Sequence, residues 1–246
     1  MSAGVWIQHY EWSGGREAML RVGPDNGPVV IVAPPLFEEA NRTRALLVAV
    51  LRGLAARGIA GVLPDLPGQG ESAVPTSDAR LGDWRDAFAA AARHTGGPRH
   101  GLAVRGGALV DGDADLDGRL HLSPRSGSAL VRDLLRTRHI AAIAAGERPP
   151  ADDPARPGPP MLLAGHRLDR ELLRELLSAE PSRADTVLSV FTDPGEADRR
   201  LVRDSGAADP PRFRAPWLAS EPSADPALAA VLTDEVATWI RSCASC

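Results

Sequence analysis

Apolar and polar residues come in blocks along this chain, and the period of the pattern changes from block to block. Val5–Tyr10 and Ala18–Val22 flank the turn Ser13-Gly14-Gly15 and predict an edge hairpin. Val29-Val30-Ile31-Val32-Ala33 is a continuous β-branched run that suits a strand buried on both faces. Leu46, Leu47, Val50, Leu51 and Leu54 then repeat with helical period, and Gly58 supplies a stop. A strand at Ile59–Leu63, a Gly/Pro turn, a helix around Leu81–His94 and short strands at Leu102–Val104 and Leu120–Leu122 continue the alternation.

The second half follows the same logic. Ala129–Ala145 reads as a helix with Leu130, Leu134 and Leu135 on one face. Glu147–Pro160 holds six prolines in fourteen residues and no period, so it reads as a linker. Met161–Ala164 and Val187–Phe191 are strand-like, and the helix between them carries Leu168, Leu172, Leu173, Leu176 and Leu177. A last helix spans about Ala227–Ile240. Strands alternating with helices predict one α/β domain over residues 1–246, with a mainly parallel sheet covered by helices on both faces. Such sheets bind ligands at the carboxyl ends of their strands.

Composition narrows the chemistry. All 28 basic residues are Arg, as GC-rich coding would favour, and Lys is absent. That excludes a P-loop NTPase, a protein kinase and a Schiff-base enzyme, since each needs an amine. The net charge of −4 gives no basic field for nucleic acid. No apolar run is long enough to cross a membrane and nothing at the start reads as a signal peptide, so a cytoplasmic location is expected. Cys243 and Cys246, the only cysteines, fall in the stretch 241–246, which reads as a frayed tail. They lack further ligands for zinc and a polybasic companion for prenylation.

Four strand-end turns carry candidate chemistry. Pro34-Pro35-Leu36-Phe37-Glu38-Glu39-Ala40-Asn41-Arg42-Thr43-Arg44 places two carboxylates before a helix, with Asn41 as its N-cap and Arg44 able to pair a Glu. Leu63-Pro64-Asp65-Leu66-Pro67-Gly68-Gln69-Gly70-Glu71-Ser72 ends a strand in a sharp turn; it is no GTPase switch, because no Walker A sequence precedes it. In Gly101-Leu102-Ala103-Val104-Arg105-Gly106-Gly107-Ala108 the flanks fit a nucleophile elbow, G-x-S-x-G, but the centre is Arg105. A guanidinium stays protonated and forms no acyl-enzyme, though it grips anions and pairs with Glu38 or Glu39. Phe191-Thr192-Asp193-Pro194 offers Asp193 where a triad acid would sit, but no His follows it. Asp113–Gly118 begins like an EF-hand loop; its twelfth position is Pro124, so it reads as a solvated acidic loop.

Together these strings resemble the exosortase A system-associated hydrolases of the second type, an α/β-hydrolase family. P-P-L-F-E-E-A-N-R-T-R, L-P-D-L-P-G-Q-G-E-S and G-L-A-V-R-G-G-A-L carry the likeness, which extends through Ser123–Gly127, Leu134–Arg136, Leu163–Leu168 and Pro216-Trp217. That family is similar in placing Arg at the elbow centre. The chain departs from it at Ala103, at His166 where the family has Tyr, at Asp111–Gly118 in place of the elbow helix, and at Glu147–Pro160 in place of part of a cap. The resemblance implies an α/β-hydrolase-like fold with a reduced cap, and a link to bacterial exopolysaccharide production and exosortase protein sorting, whose proteins would be its partners.

The expected site is one strand-end pocket lined by Glu38, Glu39, Asn41, Arg44, Asp65 and Arg105, with Leu36 and Phe37 contacting a small-molecule or acyl ligand. No metal or cofactor is called for. In a binding or accessory protein, Arg105 would anchor an anionic group. In an active hydrolase of esters, thioesters or amides, Glu39 or Asp65 would activate water and Arg105 would stabilise the oxyanion. A third reading makes the Arg105–Glu pair structural.

Overall fold

The structure is a computed structural model and describes residues 4–189, 215–219, 221–222 and 224–244. The hairpin forms from β1 (Val5–Trp12) and β2 (Gly15–Val22), paired antiparallel. β2 continues antiparallel into β4 (Ala60–Pro64), and from there every neighbour is parallel: β3 (Val29–Ala33), β5 (Arg99–Val104), β6 (Gly118–Leu122) and β9 (Thr186–Leu188). The sheet order is β1-β2-β4-β3-β5-β6-β9. All five residues of β3 are buried, as a central parallel strand requires.

Side-chain alternation splits the core in two. Val30 and Val32 of β3, with Leu102 and Val104 of β5, face α1 (Glu38–Ala55) and α5 (Pro226–Cys243). Val29, Ile31, Ala33 and Ala103 face the other way, toward α2 (Leu81–His94), α3 (Gly127–Ala144) and α4 (Arg170–Ser178). The later helices start where their sequences say they should. Ser126, Asp169 and Asp225 each accept a backbone N–H from the first turn of α3, α4 and α5 respectively.

Several boundaries differ from the sequence expectation. α1 begins at Glu38, so Glu38 and Glu39 occupy its first turn and Asn41 lies inside it, not at its cap. The residue before the helix is Phe37, whose left-handed φ of 59° turns the chain abruptly into the helix. β7 (Met161–Leu163) leaves the main sheet and pairs antiparallel with β8 (His166–Leu168). Leu168 is therefore a strand residue, and Asp169 caps α4 behind it. The 241–246 stretch is not all tail: α5 runs to Cys243, whose half-buried side chain packs on the α1–α5 core. Cys246 and Asp193 lie outside the described residues.

Candidate functional site

β5 ends at Val104, and the next residue, Arg105, takes a left-handed φ of 55° before the short 3-10 helix Arg105–Leu109. A side chain rarely adopts that backbone, which costs about 1–3 kcal/mol and persists only where neighbours enforce it. Two contacts enforce it here. A Cβ on Gly107 would stand 2.2 Å from the Ala33 carbonyl oxygen, so the turn is pressed against the end of β3. On the other side Arg125 donates its backbone N–H to the Arg105 carbonyl at 3.2 Å. The elbow backbone is built, and an arginine stands at its apex.

The guanidinium lies in the protein. Its side chain is 5% exposed, and it donates to both oxygens of Glu39, from Nη2 at 3.1 Å and Nε at 3.3 Å. This fork suits a planar carboxylate. The face of the guanidinium lies over the Trp217 ring, with 4.5 Å from Cζ to the centroid. One helical turn beyond Glu39, Arg42 donates to the Trp217 carbonyl at 3.0 Å. α1 therefore fixes Arg105 twice, through the Glu39 carboxylate and through the ring that Arg42 holds. Arg42 was not singled out from sequence; its spacing of three from Glu39 on a helix is the signal that places both on one face.

The turn after β3 is closed as well. Phe37 donates its backbone N–H to Gln69 Oε1 at 3.1 Å, reaching across to the turn after β4. That turn is anchored underneath: Tyr10 Oη donates to the Asp65 carbonyl at 2.6 Å, and Trp84 Nε1 to the Pro67 carbonyl at 2.8 Å. Ser72 Oγ accepts the Gly68 and Val74 N–H groups and donates to Glu17. Burial pushes the Glu17 carboxyl above its ordinary value, with the Ser72 hydrogen bond opposing and the Asp65 charge adding. These partners make the turn a structural unit.

The single expected pocket is two cavities. Arg105, Glu38 and Glu39 line a groove of about 570 Å³ with Arg42, Trp217 and one face of α3. Asp65, Asn41 and Arg44 line a smaller cavity of about 240 Å³ on the other side of Leu36 and Phe37, which wall both. Arg44 Nη1 donates to Asp65 Oδ1 at 3.0 Å, so its partner is Asp65 and not a Glu. Glu38 faces His166, whose Nε2 is 3.3 Å away without hydrogen-bond geometry and whose ring packs on Phe37.

A Ser, a His and an Asp do meet elsewhere. Below the end of the elbow helix, Asp111 Oδ2 lies 2.9 Å from His121 Nε2, and Ser182 Oγ donates to Asp111 Oδ1 at 2.5 Å. Asp111 and His121 are fully buried. The expected acidic loop follows, with Asp113, Asp115 and Asp117 exposed, and no group of metal-ligating side chains occurs among the described residues.

No family model and no curated protein matches the chain. Solved structures do. Est1E from Butyrivibrio proteoclasticus, solved with ferulic acid bound, is 18% identical over 70% of each chain, with a TM-score of 0.53. A putative hydrolase from Agrobacterium vitis matches 58% of this chain and 62% of its own at 16% identity and a TM-score of 0.41. Epoxide hydrolase A from Mycobacterium thermoresistibile matches 48% of this chain and 39% of its own, at 20% identity and a TM-score of 0.39. The Est1E likeness joins the strand order and the elbow after β5. This is the α/β-hydrolase fold.

Within that fold, serine hydrolases set their nucleophile at the elbow and aim two N–H groups at the oxyanion, one from the residue after the nucleophile and one from the β3 loop. Here the elbow side chain is Arg105, and the Phe37 N–H of the β3 loop is bound to Gln69.

Proposed function

We propose that this α/β-hydrolase-fold protein binds its ligand without hydrolysing it, the Arg105–Glu39 pair forming the floor of the binding groove. The observation that carries the reading is the buried, two-point ion pair at the apex of a strained elbow. A guanidinium in that place supplies no nucleophile. The resemblance of the Pro34–Arg44 string to second-type exosortase A system-associated hydrolases supports an accessory role in exopolysaccharide production and protein sorting, with proteins of that system as partners. No helix among the described residues is long and apolar enough to cross a membrane.

The hydrolytic alternative has less support. Both Glu39 oxygens already accept hydrogen bonds from Arg105, and Asp65 lines the other cavity. The test is a panel of p-nitrophenyl esters and thioesters together with a fluorophosphonate label. The expected result is no turnover above buffer and no label. Turnover abolished by Glu39→Gln, or a labelled serine, would overturn the proposal.

A further inference from the structure

The groove above the Arg105–Glu39 pair has a charge pattern and an apolar wall that together describe a ligand. Two of its three acidic side chains among the described residues are paired, Glu39 by Arg105 and Asp133 by Arg125 at 2.7 Å, while Glu38 lies 3.3 Å from His166 Nε2. Arg42 and Arg136 also line it, and neither has a carboxylate partner among the described residues; Arg42 reaches only the Trp217 carbonyl. Among the described residues, two guanidinium groups of the groove are therefore left without a carboxylate. Its α3 wall repeats Leu130, Leu134, Thr137 and Ile140, a helical stripe, and Leu218 lines the same groove. Ile140 is 57% and Leu218 54% exposed, so apolar surface is left open to solvent at the rim. The volume of about 570 Å³ falls within the roughly 300–1,000 Å³ of small-molecule sites.

We infer that this groove takes a single-chain amphiphilic carboxylate, its head held by Arg136 and Arg42 and its alkyl chain laid along Leu130, Leu134, Ile140 and Leu218. The inference rests on the binding reading above and names its ligand class. An alkyl chain explains why the rim is apolar, and a carboxylate explains the two guanidinium groups left without an acid. A neutral alkyl ligand would use the first feature only. A small anion such as acetate would use the second only.

The test is calorimetric titration of the whole chain with dodecanoate below its micelle concentration, beside acetate and dodecyltrimethylammonium. Dodecanoate is expected to bind one to one, and the other two at least about tenfold more weakly, the loss of one charge-assisted contact or of the buried chain. Arg136→Glu and Ile140→Asp alter exposed side chains and leave the core untouched; each is expected to weaken dodecanoate about tenfold or more. Equal binding of the cationic amphiphile or of acetate, unaltered affinity in both variants, or association only with phosphatidylglycerol vesicles would overturn the inference. The two proposals fail separately. Turnover of p-nitrophenyl dodecanoate with dodecanoate binding intact defeats only the non-hydrolytic reading. Absence of dodecanoate binding in a chain that turns over no ester defeats only the ligand assignment.

Discussion

Two regions of this molecule divide between them what a serine hydrolase needs in one place. The elbow after β5 has the strained backbone, the close approach to β3 and the position at the carboxyl edge of the sheet, but an arginine fills it. The cluster under the loop after it has an aspartate, a histidine and a serine in contact, but no strained turn presents the hydroxyl. There the serine hydrogen bond runs to the carboxylate at 2.5 Å, while Ser182 Oγ lies 3.4 Å from His121 Nε2. The imidazole meets both partners through the same nitrogen, so it cannot take the serine proton on one nitrogen while the carboxylate holds the other, as a triad does. Neither region joins that residue set to the strained turn. The cluster satisfies buried polar groups; the elbow holds a cation.

That contrast is open to attack by mutation. Gly107→Ala attacks the elbow backbone, because the new Cβ meets backbone carbonyls at 2.2 and 2.7 Å that cannot move cheaply. A loss of more than about 4 kcal/mol, or failure to fold, is expected from urea unfolding; a near-native melt would mean the elbow does not press on β3. Asp111→Ala attacks the cluster, leaving a buried imidazole and a hydroxyl without their shared acceptor. About 3 kcal/mol should be lost in the same assay, and a loss below about 1 kcal/mol would show the cluster to be incidental.

Arg105→Met should cost about 2 kcal/mol, since Glu39 is left half-buried beside an apolar chain. Adding Glu39→Gln should return part of that loss; strict additivity of the two would deny that they form a unit. The smallest effect concerns His100, buried edge-on to Trp239. Burial lowers its affinity for a proton, against the opposing pull of Asp117 and the Pro98 carbonyl. The unfolded imidazole takes up a proton below about 6.5 while the folded one resists, so stability should fall as pH drops through that value. Chemical denaturation of His100→Gln between pH 7.5 and 5.5 should show a shallower decline than the native chain; an equal decline would assign the dependence to other groups.

Much of this fold is legible in the sequence because burial imposes period. The run Val29–Ala33 could only be a strand covered on both sides, and Leu46–Leu54 only one helical face. The elbow is legible for a different reason, the small flanking residues Ala103 and Gly107 around Arg105 after a short strand. What stays hidden depends on contacts between distant positions. The start of α1 is set by Phe37 in a left-handed conformation with its N–H held by Gln69, 32 residues away, so capping propensity pointed to Asn41 instead. Leu36 and Phe37 split the expected pocket because their side chains are buried as a wedge between the turns, an outcome no local pattern encodes. Asp111 and Ser182 are 71 residues apart, and nothing near either one announces the other.

Whether the elbow is chemically silent can be read directly from ester turnover. Release of p-nitrophenol from acetate and dodecanoate esters by the native chain, by Glu39→Gln and by Arg105→Ser should equal the buffer rate in all three. The serine variant is included because a hydroxyl at the apex would still find the Phe37 N–H bound to Gln69 and the His121 ring bound to Asp111. Turnover by the native chain that disappears in Glu39→Gln would contradict the account and make Glu39 a working base.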